Sequence, residues 1–376
     1  MGRSSDIIVI GAGVVGCAIA YELARRGASV EIIDERGVGM GATQASAGVL
    51  APFIEAREGN PLLDLAVRSL DLYDDFIGRT ASDSGSAIPY RRTGTLDVAL
   101  DTASLAALKT TAGVLERRGV PALLLDAALA RAEEPILGDT VAGALLIEAH
   151  GFVAAGELTR ALAAAARRNG GQLVERSRVR RVVCRGEGSA AEAVVETDRG
   201  SLTGGAVVIA AGSWSAGIEI DGIDARVPVK PIRGQLLHLG WTGTPIRRVT
   251  WSSRCYLVPW DDGTVLVGAT AEDAGFDERA TVAGVRDLLD AACDVVPRAW
   301  TASFRGARVG LRPATSDALP IIGWSARCPN LMYATGHFRN GILLAPLTAQ
   351  LVADVMLEGR SDPLLDLVNP TRFGDL

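Results

Sequence analysis

Residues 6–34 read DIIVIGAGVVGCAIAYELARRGASVEIID, and this stretch decides the fold. Asp6–Ile10 is a short, continuous apolar run rich in β-branched residues, the pattern of a strand buried on both faces of a parallel sheet. Gly11-Ala12-Gly13 breaks it. From Val15 to Arg26 the small and apolar residues Ala18, Ala20, Leu23 and Ala24 recur at helical spacing, and Gly27 stops the helix as a C-cap. Ser29–Ile33 reads as a second strand that ends on Asp34. The whole is a β-α-β unit of about 30 residues.

Gly11-x-Gly13-x-x-Gly16 joins the first strand to the helix. Gly11 permits the sharp turn, Gly13 lacks the Cβ that would meet a pyrophosphate, and Gly16 lets helix and sheet pack closely. The helix N-terminus offers free N–H groups and a positive dipole end to phosphates. Asp34 lies 18 residues beyond Gly16, where a carboxylate can accept from the ribose hydroxyls of an adenosine. Glu35 beside it disfavours a 2′-phosphate. A dinucleotide is therefore expected, and NADP is not.

Outward from this unit, the chain alternates. β-α signals occupy 1–85, 150–220 and 306–360, and strand-rich segments occupy about 90–150 and 225–305. Predicted helices include Asn60–Thr80, Asp101–Arg118, Ala155–Asn169, Ala280–Val296 and Ile342–Met356. Predicted strands include Tyr90–Leu100, Val179–Val183, Ala193–Thr197, Ala206–Ala210, Arg233–Leu239, Cys255–Pro259, Thr264–Gly268 and Leu331–Ala334. The pattern implies an α/β protein of two domains threaded through one another: residues 1–85, 150–222 and 306–376 in one, 86–149 and 223–305 in the other.

Composition narrows the function. The chain has 376 residues and a net charge of −6, and its basic pairs are scattered, so nucleic acid is not expected as a partner. Five cysteines without a CxxC pair read as reduced thiols. Three histidines without metal-ligand spacing predict no metal site. The polar N-terminus gives no signal-peptide pattern. The long uncharged stretches 37–54 and 200–218 are too rich in Gly, Ser and Thr to span a bilayer. A soluble, cytoplasmic protein without a membrane partner is expected.

Two further segments separate the possible dinucleotides. Gly39–Gly48 (GMGATQASAG) is a run of small residues just after Asp34, suited to a rigid ring system lying against backbone. Thr335–Gly341 (TGHFRNG) places a glycine loop before the last helix, whose amides could meet a second part of the same ligand.

With TQASAGVLAP, VVIAAGSWS, KPIRGQ, CYLVPWDDGTVLVGAT, GLRPATSDALPIIG and YATGHFRNGILLAP, the chain resembles the D-amino-acid-oxidase-like FAD-dependent oxidoreductases, and among them the bacterial glycine oxidases of the thiamine pathway. The resemblance covers residues 6 to about 355. It implies a Rossmann-like FAD domain of the glutathione-reductase type interleaved with a β-rich α+β substrate domain. It also implies FAD, a small amino-acid substrate and O2; the five cysteines offer no evident covalent-flavin position, so the FAD is expected to be held non-covalently, and a homo-oligomer is expected. By the same resemblance Gly11, Gly13, Val14, Val15 and Gly16 hold the pyrophosphate and Asp34 the ribose. Thr43, Ala47, Gly48 and Gly212 lie along the pyrophosphate and flavin, and Val179 meets adenine. Gly336, His337, Arg339, Asn340, Gly341 and Ile342 line the pyrimidine side.

For the substrate the resemblance points to Arg312 as the fork for the carboxylate, Tyr256 as a second donor to it, and Arg339 as an auxiliary charge. It implies oxidative deamination by hydride transfer to the flavin, yielding an imine and hydrogen peroxide. Neighbouring activities are a D-amino-acid dehydrogenase feeding a quinone and a sarcosine-type oxidase. Two departures concern substrate size. After GAT the glycine oxidases carry methionine, and here stands Ala271. Two residues before the tyrosine they carry histidine, and here stands Arg254, expected to add charge at the pocket mouth.

Overall fold

The computed structural model describes residues 4–55, 60–186 and 192–376; the first three residues of the polar N-terminus lie outside these. Strand Ser4–Ile10 runs parallel to Val30–Asp34 on one side and to Gly200–Ile209 on the other. Gln172–Glu175 extends the sheet beyond Val30–Asp34, and Leu331–Thr335 pairs with the end of Gly200–Ile209, both parallel. The antiparallel strands Val179–Arg185 and Glu192–Thr197 continue the same nine-stranded sheet. Ile8, Val9, Val207, Val208 and Ile209 are fully buried, as continuous apolar runs in a parallel sheet covered on both faces must be.

Helix Val14–Arg25 is buried from Val14 through Ala24. A helix apolar on every side is one packed on every side, here by helices Ala155–Arg168 and Gly341–Glu358. Its buried carboxylate, Glu22, accepts from Arg25 and Arg26 at 2.7 Å each, and Arg26 reaches Asp354 of the last helix at 2.6 Å. A buried charge persists only when paired in this way.

Helix Gly341–Glu358 is long and apolar enough to cross a membrane. In this fold it packs between Val14–Arg25 and Leu62–Asp71. Pro346 sits in its second turn and has no N–H for the carbonyl of Ile342. The Tyr73 hydroxyl donates to that carbonyl at 2.5 Å. Ser69 Oγ donates to Leu343 O at 2.6 Å and accepts from Leu347 N at 3.3 Å. The start of the last helix is thus fixed by side chains around residues 69–73. The single helix expected over 60–80 is two, Leu62–Asp71 and Tyr73–Ser84, with a tight turn between them in which Leu72 N donates to Ser69 O at 3.3 Å.

The second sheet has eight strands, in the order Ser303–Ala314, Lys230–Gly240, Thr264–Gly268, Tyr256–Pro259, Val249–Trp251, Thr95–Ala99, Gly143–Ile147, Leu123–Asp126. Alternation splits its faces. Leu96, Leu237, Leu257 and Val267 pack against Leu288, Ala292 and Val295 of helix Val282–Val295. Leu236, Val258 and Leu266 point the other way, toward Ala47 and Phe152.

Ser303–Ala314 pairs with Lys230–Gly240 along its whole length, from Ser303 opposite Gly240 to Ala314 opposite Lys230. The boundary expected at residue 306 therefore falls inside a strand, and the chain stays with the eight-stranded sheet to Ala314. The expected strand over 90–100 is also divided. Tyr90–Arg91 joins a small sheet with Gly151–Val153 and Val49–Leu50, while Thr95–Ala99 joins the large one.

Candidate active site

A cavity of about 1070 Å3 lies between the two sheets. On one side the first β-α turn enters it. Gly11 has φ +113°, and a Cβ there would stand 2.4 Å from the carbonyl oxygen of Ala210; a Cβ on Gly16 would stand 1.9 Å from that of Gly11. The turn is therefore closed by backbone against backbone. A Cβ on Gly13 would meet only Thr43 Oγ1, at 3.7 Å, so the space beside Gly13 is held open toward the cavity. Thr43 Oγ1 accepts from Val14 N at 3.2 Å, which ties the small-residue segment to the helix start. That segment is ordered: Ala42–Ala45 forms a short turn of helix and Val49–Leu50 a strand.

Asp34 accepts from the backbone N–H of Ala12 at 2.7 Å, of Arg36 at 2.7 Å and of Gly37 at 2.9 Å. It lines both the large cavity and a neighbouring one of about 470 Å3 walled by Glu35, Arg36, Val179 and Trp214. The Arg36 guanidinium lies 4.4 Å over the Trp214 ring. This second cavity shares the wall residues Gly11, Asp34 and Trp214 with the first, and has the aromatic wall and the carboxylate that an adenosine needs.

Across the large cavity stands the beginning of the last helix. Asn340 flanks it, and Gly341, Ile342 and Leu343 line the wall, so unpaired first-turn N–H groups face the cavity with the positive end of the dipole. His337 also lines it, but its imidazole is buried and Nε2 pairs with Thr348 Oγ1 at 3.1 Å. Burial lowers that ring to a pKa of about 3, so it is neutral.

The eight-stranded sheet supplies the third wall. Tyr256 and Arg312 both face the cavity. Arg312 Nη1 donates to Thr270 O at 2.8 Å. A Cβ on Gly234 would lie 2.4 Å from the Arg312 guanidinium, and one on Gly268 2.4 Å from the Tyr256 ring. Two glycines inside strands thus make room for the two side chains. Trp251 stacks on Tyr256, with centroids 4.8 Å apart. Burial raises the Tyr256 phenol while the charges of Arg312 and Arg339 pull it back, and burial draws Arg312 below its usual range. The three groups therefore share one neighbourhood, with Arg339 on the solvent side.

Of the residues expected from the sequence, Gly11, Gly13, Val14, Val15, Asp34, Thr43, Ala47, Gly48, Gly212, Tyr256, Arg312, His337, Arg339, Asn340, Gly341 and Ile342 line the large cavity. Val179 lines the adjoining one. Gly16 and Gly336 do not reach either wall: Gly16 packs behind Gly11, and Gly336 packs toward Thr315 and Ile321. Arg254 lines the cavity, but its guanidinium is paired with Asp294, so the expected free charge at the mouth is neutralised. Gly234, Gly268 and Thr270 were not singled out from the sequence. A glycine inside a strand marks close approach by another group, and that signal was available in KPIRGQ and VLVGAT.

The residues fit FAD. The opening at Gly13, the first turn of the last helix and the carboxylate of Asp34 line one cavity of about 1070 Å3, and Asp34 lines the adjoining one as well, a volume that suits a dinucleotide. Comparison with known proteins agrees. A family profile described as FAD dependent oxidoreductase matches residues 6–355. The bifunctional protein ThiO/ThiG of Nostoc sp. is 36% identical over 96% of this chain and 54% of its own length. The chain spans about half the length of the first such relatives. A glycine oxidase of Geobacillus kaustophilus is 33% identical over 93% of this chain and 92% of its own. The crystal structure of the glycine oxidase from that organism superposes with a TM-score of 0.89 at 32% identity, covering 96% of each chain. Iminodiacetate oxidase from Chelativorans sp. superposes with a TM-score of 0.87 at 30% identity, covering 97% of this chain and 98% of that one. The chain belongs to the DAO family of FAD-dependent oxidoreductases.

Proposed function

We propose that this enzyme oxidises glycine and other small amino acids with O2, giving the imine, which water converts to the 2-oxo acid and ammonia, and hydrogen peroxide. The observation that carries the reading is the convergence of Arg312 and Tyr256 on the cavity that the last helix enters from the opposite side. A guanidinium and a phenol side by side, both half-buried, make a clamp for one carboxylate. A cavity that served only to store a cofactor would need no such clamp.

Bound FAD supplies a two-electron acceptor for the hydride leaving the substrate α-carbon. The protein's part is placement and field. Arg312 and Tyr256 hold the carboxylate and so fix the α-carbon in the cavity. Arg312 can do this reproducibly because Thr270 O holds Nη1 at 2.8 Å. The first-turn amides of Gly341, Ile342 and Leu343 stabilise negative charge that develops against that wall. His337, neutral and hydrogen-bonded to Thr348, adds no charge of its own. No side chain is assigned as a base, because the amine binds in its neutral form by losing its proton to water.

The test is a screen of the purified flavin-loaded protein against glycine, sarcosine and the D- and L-amino acids. Peroxide is assayed in air, and flavin bleaching without oxygen. A substrate that bleaches the flavin and yields one peroxide per turnover in air supports the reading. Bleaching without peroxide, reversed by a quinone, would make the protein a dehydrogenase instead.

A further inference from the structure

Tyr256, Trp251 and Asp97 are direct register partners on three adjacent strands. Their side chains leave the sheet on the same face, and all three line the large cavity. Neighbouring strands lie ~4.8 Å apart, so Asp97 stands about 10 Å along the wall from Tyr256. Among the described residues the cavity wall holds two carboxylates, Asp34 and Asp97. Asp34 is engaged by three backbone amides. No hydrogen bond or ion pair from the described residues satisfies Asp97. Its register partners on the adjoining strands are Trp251 and Leu145, and helix Thr102–Arg117, which packs on its strand, brings Ser104 and Leu108 to the same cavity. Of the cations in the wall outside the clamp, Arg254 is turned to Asp294, and Arg117 has a partner of its own.

A carboxylate left without an internal partner on a cavity wall is costly unless something that enters the cavity satisfies it. Trp251 lies between it and the clamp in register; one face of its ring is stacked on Tyr256, which leaves the other, an aromatic surface of a kind that favours both a hydrocarbon chain and a cation. We propose that the cavity takes amino acids whose far end carries a cationic amine or guanidinium, with Asp97 accepting that end and Trp251 flooring the chain between. The inference rests on the reading of Arg312 and Tyr256 as the carboxylate clamp. It makes Asp97 a specificity-determining residue and leaves glycine a substrate that does not reach it.

Burial lifts the Asp97 carboxyl to about 7, so the test is made at pH 8.5, where it is ionised and an alkylammonium is still charged. Hexanoate and 6-aminohexanoate have the clamp's carboxylate but no α-amine, so the enzyme can bind and not oxidise them. Each is titrated into the flavin-loaded protein and followed by the change in flavin absorbance. The expected result is that 6-aminohexanoate binds at least tenfold more tightly than hexanoate. In Asp97→Asn that ratio should fall below twofold while hexanoate binds as in wild type. In turnover, lysine of the accepted configuration should exceed norleucine in kcat/KM by a similar factor, and Asp97→Asn should remove the difference without changing glycine oxidation. Equal binding of the two acids in wild type, or a preference that survives in Asp97→Asn, would overturn the inference while leaving the clamp intact. Failure of hexanoate itself to bind would overturn the clamp and the inference together.

Discussion

Arg312 Nη1, on strand Ser303–Ala314, donates at 2.8 Å to the backbone carbonyl of Thr270, in the segment that follows strand Thr264–Gly268. That bond fixes one corner of the guanidinium and leaves the rest of the fork for a ligand. Arg312→Lys keeps the charge but cannot hold Thr270 and a carboxylate in the same geometry. It should bind FAD normally and lose about 1.5–3 kcal/mol of substrate affinity, the range for a charged hydrogen bond. The measurement is flavin content together with KM for the best substrate; an unchanged KM would remove Arg312 from the site.

Gly234 tests the same group without touching it. The Cβ of Gly234→Ala would fall 2.4 Å from the guanidinium carbon, and the flexible arginine must swing away. Flavin content should be unchanged and KM raised in the direction of Arg312→Lys. In the double variant with Arg312→Lys the two effects should add to less than their sum, because both act on one contact. Full additivity would mean that Gly234 acts elsewhere.

Asp34 combines two duties. Its carboxylate anchors the N–H groups of Ala12, Arg36 and Gly37 and stands where the adenosine ribose is expected. Asp34→Ala leaves three amides without their acceptor and should release FAD readily on dilution. Asp34→Asn keeps an acceptor oxygen and should retain more FAD than Asp34→Ala. Turnover per bound flavin should be the same in both as in wild type; a collapse of that ratio would place Asp34 near the reacting atoms.

Only parts of the site were legible in the sequence. The β-α-β unit was, because strand, turn glycines, helix and acid occupy contiguous residues and each has a local physical signature. Arg312 and Tyr256 were reached through a family resemblance, since neither has a distinctive local pattern. Gly234 and Gly268 meet those side chains from other strands, and Thr270 from the segment just after one; such contacts follow from sheet order, which one sequence does not spell out. The run Ser303–Ala314 was the largest element missed. Its residues before Gly310 are mostly exposed or half-exposed, so it lacks the apolar alternation by which strands are recognised. Arg254 shows the converse: its identity was plain, but its pairing with Asp294 on helix Val282–Val295 depends on tertiary structure.

His150 gives a pH-dependent prediction. The ring is fully buried and stacked on Phe53 at 5.4 Å. Phe53 N donates to Nε2 at 3.1 Å, so Nδ1 carries the proton and donates to Thr95 Oγ1 at 2.7 Å. Burial, aided by the charge of Arg92, lowers its pKa from 6.5 to about 3. The unfolded chain takes up that proton below 6.5 and the folded protein does not. The stability contributed by the neutral ring is therefore complete above pH 6.5 and declines as pH falls toward 3, by up to about 1.4 kcal/mol per pH unit. In His150→Gln the acid loss between pH 6.5 and 4 should be shallower by one proton, and stability at pH 7.5 lower by about 1–3 kcal/mol for the disrupted hydrogen bonds. His337, buried to the same degree, keeps its own share in both proteins. Urea unfolding at several pH values measures both slopes, and equal slopes would show that His150 is protonated in the fold.

Substrate size turns on Ala271. It lines the large cavity and is exposed, at the position where the glycine oxidases carry methionine. A methyl in place of a thioether leaves space that neighbours must fill or leave open. Trp251 does not fill it by swinging freely, because it is stacked on Tyr256, and Trp260 is held edge-on against Phe152 with centroids 4.8 Å apart. The site should accordingly accept D-alanine, sarcosine or a bulkier amino acid beside glycine. Ala271→Met should cut kcat/KM for the bulkier substrates by roughly tenfold, the cost of about 1.4 kcal/mol of lost fit, and leave glycine within about twofold. The ratios of kcat/KM to that for glycine, in wild type and variant, decide the matter. Strict glycine selectivity in wild type, unmoved by the methionine, would mean that the space beside the α-carbon is closed by other residues.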